Sequence, residues 1–231
     1  MSAAKKTPQV AIAAEEMLVG YDQGTVCGEL NFSVEPGDVL ALIGANGTGK
    51  STVLKALLGA LEPAEGKVYL LGSPVDDREL TFRRDVSSVM DEDAFFPSLT
   101  VREHLILMAK GHGLPDPEAA VNAEISAFGL IDREDALPSE LSSGQRRRML
   151  LASAFIRPFR VLVLDEPEQR LDPATRLALA DRLRGIAADG AAIVMATHDA
   201  ELLSGCADWA IVIDDEPYAL TVEEAVAHLQ S

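Results

Sequence analysis

The chain of 231 residues carries only two cysteines, Cys27 and Cys206, and neither stands at metal-ligand spacing from a partner. That excludes a disulfide framework and points to a reducing compartment, with the thiols acting as small buried apolar groups. No stretch offers the ~18 uninterrupted apolar residues of a membrane-spanning helix. Lys5 and Lys6 precede the run Val10-Ala11-Ile12-Ala13-Ala14, which Glu15 and Glu16 cut off. This is too short for a secretory signal, so a cytoplasmic location is expected. Positive charge is scarce, with 20 Lys and Arg against 37 Asp and Glu and a formal net charge of -17. A field of that sign repels phosphate backbones and anionic head groups, so no nucleic-acid partner is expected and unaided membrane binding is disfavoured. Internal repeats and low-complexity segments are absent as well.

What is present is an ordinary globular composition, 48% hydrophobic and 25% charged. A chain of this length can bury roughly 70% of its unfolded surface. Short apolar runs alternate with longer periodic segments, the pattern of a mixed or parallel sheet with helices. Asp38 to Gly44, Arg160 to Asp165 and Ala191 to Thr197 are almost continuously apolar and read as strands buried on both faces. Each ends in polar residues, where α/β ligand sites lie. Thr100-Val101-Arg102-Glu103 is a capping box opening a helix toward Lys110. Asp116-Pro117 and Asp172-Pro173 supply caps and first-turn prolines for helices closing near Gly129 and Gly190. The region from about 92 to 143 holds helices and none of the buried strands. It reads as a helical lobe inserted into an α/β core made of about 1–91 and 144–231.

Gly44-Ala45-Asn46-Gly47-Thr48-Gly49-Lys50-Ser51, followed by Thr52, matches the phosphate-binding loop G-x-x-x-x-G-K-[ST] between a strand and a helix. Glycines let the loop N–H groups turn inward on a polyphosphate, and the helix N-terminus adds the positive end of its dipole. Lys50 neutralises β/γ oxygens, and Ser51 offers an oxygen to Mg2+. Asp165-Glu166-Pro167 follows another buried strand. Asp165 is placed to order Mg2+ through water, and Glu166 to polarise a water for in-line attack on the γ-phosphate. ATP and Mg2+ are therefore the expected ligands.

Between these halves Leu141-Ser142-Ser143-Gly144-Gln145 leads into Arg146-Arg147-Arg148-Met149. With that motif in place the chain resembles the ATP-binding cassette (ABC) ATPases along nearly its whole length. The resemblance implies a P-loop NTPase core, an N-terminal antiparallel β subdomain and the inserted helical lobe. It implies that Ser142, Ser143, Gly144 and Gln145 form a helix N-terminus facing the γ-phosphate held by a second cassette. Two cassettes, identical or paired, would then sandwich two ATP molecules in a closed dimer. Tyr21 is similar to the family's adenine-stacking aromatic and His198 to its switch histidine beside the γ-phosphate and attacking water. Asp172 is similar to the aspartate of the loop after the second phosphate motif. The implied partner is an integral membrane permease, which holds the cassette at the inner face of the membrane. Val75 to Met90 and the helix from Thr100 are then expected near the permease's coupling helix. Phe95 and Phe96 serve either there or in packing the lobe. A non-transport ABC ATPase, such as a soluble assembly factor, and a weakly hydrolysing nucleotide-dependent clamp are the alternatives.

Three departures from the family's pattern carry expectations of their own. Ser143 replaces the first signature glycine, and a positive φ there costs a serine on the order of 1 kcal/mol. Glu168-Gln169-Arg170 replaces small residues before Leu171-Asp172, which places bulky charged groups at the expected dimer seam. The family's glutamine at the junction of core and lobe is missing, since none occurs between Gln23 and Gln145, and Asp91 falls in its place. An aspartate is a hard oxygen ligand for Mg2+, but when ionised it donates no hydrogen bond. Asp91 is therefore expected either to bind the metal directly or to turn away, and slow basal hydrolysis is expected. His104, His112 and His228 are expected to be structural.

Overall fold

The almost continuously apolar runs form the middle of a sheet because each is covered twice. The computed structural model describes residues 10–21, 24–90 and 94–231, with Tyr21 described by its backbone only. The strands are β1 (Ile12–Leu18), β2 (Gly20–Tyr21), β3 (Gly24–Thr25), β4 (Leu30–Val34), β5 (Val39–Ile43) and β6 (Glu65–Leu70). They continue as β7 (Ser73–Pro74), β8 (Val86–Val89), β9 (Val161–Asp165), β10 (Ala192–Ala196), β11 (Trp209–Val212) and β12 (Tyr218–Leu220). The α-helices are α1 (Lys50–Leu57), α2 (Leu80–Asp85), α3 (Val101–Gly111), α4 (Pro117–Ala127), α5 (Ser143–Phe155), α6 (Pro173–Ala188), α7 (Ala200–Cys206) and α8 (Val222–Leu229). The larger sheet has the order β12-β11-β5-β10-β9-β8. It is parallel except for β12, which runs antiparallel to β11. A second, antiparallel sheet has the order β4-β1-β6-β7.

The pleat explains the composition of the central strands. In β5, Val39, Ala41 and Ile43 face one core while Leu40 and Leu42 face the other. In β9 the division is Leu162 and Leu164 against Val161 and Val163. In β10, Ile193 and Met195 oppose Ala192, Val194 and Ala196. With both faces buried there is no polar face to produce alternation, and each buried Val, Leu or Ile contributes ~1.5–3 kcal/mol. The first core is closed by α3 to α8 through Val101, Val121, Met149, Leu179, Leu202 and Ala225. The second is closed by Val53, Leu54 and Leu57 of α1 and by Ile12, Leu30 and Val68 of the antiparallel sheet. Both cysteines are buried and free, and burial pushes the Cys206 thiol up to about 12.

The caps read from sequence close the helices they open. Thr100 Oγ1 accepts from Glu103 N at 3.2 Å while Glu103 Oε2 accepts from Thr100 N at 2.9 Å. Asp116 and Asp172 accept from Ala119 N and Thr175 N, each at 3.0 Å. The described residues from 94 to 142 contain α3, α4 and two short 3-10 turns, and no strand.

His104 of α3 is 3% exposed, and its Nδ1 has no hydrogen-bond partner among the described residues. The Phe96 ring lies 5.7 Å from it, centroid to centroid. Burial holds the imidazole below its ordinary pKa. The unfolded chain therefore takes up the proton more readily than the native one. The stability this contributes is present above the unfolded pKa and is lost as pH falls through the folded value. On acidification from about pH 7.5 to about pH 5.5 the parent's melting temperature should fall a few degrees further than that of His104→Gln. Equal shifts in the two proteins would remove His104 from the acid response.

Candidate active site

Parallel neighbours open their carboxyl ends at the same edge. Ala196 of β10 pairs with Leu42 of β5 on one side and with Asp165 of β9 on the other. The glycine loop after β5, the pair Asp165-Glu166 and the pair Thr197-His198 are thereby assembled from segments far apart in the chain. Gly44, Gly47 and Gly49 take φ values of 139, 85 and 99, in the region that favours glycine. A Cβ on Gly44 would meet the Ile213 carbonyl oxygen at 2.6 Å, and one on Gly49 would meet Val26 Cγ2 at the same distance. Ala45, Asn46 and Gly47 are exposed at the turn, and Thr48 bonds back to the Ala45 carbonyl through Oγ1 at 3.1 Å. Lys50 begins α1, is 5% exposed, and donates from Nζ to the Gly44 and Ala45 carbonyls at 2.9 and 2.8 Å. Burial pushes its pKa down against the opposing pull of the Glu166 and Asp165 charges. Ser51 is exposed on the first turn of α1 and Thr52 is buried behind it.

These donors fit a triphosphate with a hard divalent cation: loop amides, one ammonium, the Ser51 hydroxyl and the Asp165 carboxylate, which is 2% exposed. Among the described residues no group of three or more His, Cys, Asp or Glu could hold a metal by itself.

Glu166 sits at φ 44, a left-handed conformation uncommon for a non-glycine residue. Its N–H donates to the Ala196 carbonyl at 2.9 Å, extending the strand pairing by one step. Its carboxylate is held at both oxygens. His198 Nε2 lies 3.2 Å from Oε1, and Gln169 Nε2 donates to Oε2 at 2.6 Å. Glu168 turns toward the same place, with Oε1 accepting from Thr197 Oγ1 at 2.7 Å and from the His198 N–H at 3.0 Å. Burial pushes the Glu168 carboxyl above its usual range in spite of those bonds. Of Glu168, Gln169 and Arg170 only Arg170 is exposed, so much of the bulk expected at a dimer seam is turned into the chain.

The signature segment is a capping box. Ser142 Oγ accepts from Gln145 N at 3.2 Å, and Gln145 Oε1 accepts from Ser142 N at 2.9 Å. Ser143 is the first residue of α5, so a right-handed helical position replaces the left-handed one considered from the sequence, and no strain arises. The glycine that matters is Gly144, where a Cβ would meet the Arg170 carbonyl oxygen at 2.6 Å. Asp172, the N-cap of α6, also lies 3.3 Å from Nη2 of Arg148.

Sequence reasoning missed Arg147. This side chain is buried in α5 and donates from Nη2 to the Asp165 and Glu166 carbonyls, the latter at 2.7 Å, and from Nη1 to the Met90 carbonyl at 3.4 Å. The one legible hint was that it shares a helix face with Leu151 four residues on. Tyr21 pairs through its backbone with Gly24, and Asp91 lies outside the described residues.

The ABC transporter family model matches residues 27–169, more than half of the chain, from ahead of the phosphate loop to Gln169. The chain is 41% identical over 180 residues to Nod factor export ATP-binding protein I of Burkholderia thailandensis, covering 77% of this chain and 59% of that protein. It thus spans about three-fifths of the length of that curated relative. Among solved structures it matches an ATP binding subunit of an ABC transporter with TM-score 0.82 and 26% identity, over 96% of this chain and 100% of that one. It matches cbiO1 of Clostridium perfringens, described as part of the ABC transporter complex cbiONQ, with TM-score 0.78 and 25% identity, over 95% and 91% of the two chains. Among the described residues no helix is long and apolar enough to cross a membrane. On sequence and fold alike, the chain belongs to the ABC transporter family.

Proposed function

We propose that the chain is the ATP-binding and ATP-hydrolysing subunit of an ABC transporter, which energises a separate membrane permease by ATP-driven head-to-tail dimerisation. The observation that carries this reading is the meeting, at one sheet edge, of the Lys50 loop with the Glu166–His198 contact at 3.2 Å. Amides of Gly44 to Thr52 and the ammonium of Lys50 bind the phosphates, the ammonium leaving the Gly44 and Ala45 carbonyls for phosphate oxygens. Tyr21 stacks on the adenine. Glu166 accepts a proton from the attacking water, and His198 orients that water against the γ-phosphate. Ser51 and Asp165 would hold Mg2+, which would supply neutralising charge to the phosphates, and Asp91 would either join them as a ligand or turn away. Ser142, Ser143, Gly144 and Gln145 face the nucleotide of the second cassette, and Asp172 lies in the loop that follows Glu166. Asp91, in place of a hydrogen-bond-donating glutamine, keeps basal turnover slow.

A cavity of about 670 Å³ between β8 and α3 supports the permease part of the reading. It is lined by Val89, Met90, Phe95, Phe96, His104 and Met108. Phe96 is 52% exposed while Phe95 packs against the core, which supports a partner contact for Phe96 and lobe packing for Phe95. Such a partner would hold the chain at the inner face of the membrane.

The purified chain with ATP and Mg2+ should release phosphate slowly, do so faster in the presence of its permease, and shift from monomer to dimer in light scattering when ATP is added. Phosphate release of zero with a tight ATP-dependent dimer would mark the clamp instead. A monomer at saturating ATP, with no phosphate release with or without the membrane fraction, would overturn the reading.

A further inference from the structure

We propose that Glu168 is a positioning residue for His198: its buried carboxyl fixes the turn between β10 and α7 and thereby the place of the imidazole against Glu166. The proposal rests on the reading of Glu166 and His198 as the hydrolytic pair.

One oxygen, Glu168 Oε1, grips two consecutive residues, taking the Thr197 hydroxyl at 2.7 Å and the His198 amide at 3.0 Å. The Thr197 hydroxyl, itself fully buried, accepts in turn from the Asp199 amide at 3.0 Å. Asp199 then caps α7 by accepting from Leu202 N at 2.8 Å and pairs with Arg176 of α6. The backbone on both sides of His198 is therefore tied down, on one side to α6 and α7 and on the other to the loop after β9. Gln169, one residue on, holds Glu166 Oε2 at 2.6 Å. Adjacent side chains of a single loop thus hold the two members of the pair, Glu168 the histidine and Gln169 the glutamate. A small residue at position 168 could not reach the histidine amide.

The second oxygen, Oε2, is buried and has no partner among the described residues. Both contacts to the turn are received by the first oxygen, which a neutral carboxyl or a side-chain amide offers equally well. Glutamine should therefore substitute for Glu168 in this role, and alanine should not. Alanine leaves the buried Thr197 hydroxyl and the His198 amide without their shared acceptor, a loss comparable to about one decade in rate when it displaces a group needed in the transition state.

The test uses the full chain under single-turnover conditions with excess protein over ATP and Mg2+. Glu168→Ala should lower the rate constant about tenfold while shifting the apparent ATP dissociation constant by less than about twofold. Glu168→Gln should restore the rate to within about threefold of the parent. In a His198→Ala background, Glu168→Ala should have no further effect on the rate. A parent-like rate in Glu168→Ala, failure of glutamine to restore it, or a second tenfold loss in the His198→Ala background would each overturn the proposal. A parent that binds ATP without turning it over defeats the site reading and this proposal together. A parent that turns ATP over with an indifferent residue 168 defeats this proposal alone.

Discussion

Lys50→Ala is expected to weaken ATP binding by about a thousandfold, measured by calorimetric or fluorescent-nucleotide titration of the purified chain. The ammonium is buried and held against two carbonyls of its own loop at 2.9 and 2.8 Å. It is thus pre-aimed at the space the loop amides enclose. Asp165 and Glu166 both act on it electrostatically, so its removal leaves their negative charge facing a triphosphate with no protein cation between. One charge pair at ~4 Å in an effective dielectric near ~20 is worth ~4 kcal/mol, which corresponds to about three decades of affinity. The fold should tolerate the change, because a buried cation disappears along with the bonds it made, and an unaltered melting temperature would verify this. ATP affinity within about threefold of the parent would reject the phosphate site itself and every assignment that depends on it.

The central strands, the helix caps and the glycine loop were legible in the sequence because each is a local physical statement. Strands buried on both faces lose their polar alternation, as in Val161-Leu162-Val163-Leu164. Caps and turns involve residues three or four apart, as in Thr100 with Glu103 and Ser142 with Gln145. Glu168 and Gln169 were legible only as departures and Arg147 was missed, the destinations of all three being set by tertiary packing. Glu168 reaches the His198 amide across 30 positions, and Arg147 reaches the Met90 carbonyl across 57. Nothing in either neighbourhood encodes such a partner. The cost that a positive φ would have carried at Ser143 does not arise, because the residue is helical. The motif names a glycine there, but the steric demand falls on Gly144, through the carbonyl of Arg170. That demand exists only once α5 is packed against the loop after β9. The direct contact between Glu166 and His198 likewise required β9 and β10 to be neighbours in register.

Glu166→Gln should lower ATP hydrolysis at least about a hundredfold, the low end of what a positioned general base contributes, without weakening ATP binding. The substitution preserves shape and most of the local hydrogen bonding. The new side chain's oxygen can still accept from Gln169 Nε2, which now lies 2.6 Å from Oε2, and its amide lies within reach of His198. What it cannot do is accept a proton from water, since an amide is not basic in this range. It also removes a negative charge beside the triphosphate, and at ~5 Å with an effective dielectric near ~20 that relieves ~3 kcal/mol of like-charge repulsion. Because ATP is neither consumed nor repelled, the ATP-bound dimer should accumulate and outlast that of the parent, as read by size-exclusion chromatography with light scattering. Turnover close to the parent's would place the base elsewhere. A variant that is inactive yet still monomeric with ATP bound would keep Glu166 as the base and remove the dimeric sandwich, so the two parts of the mechanism can fail separately.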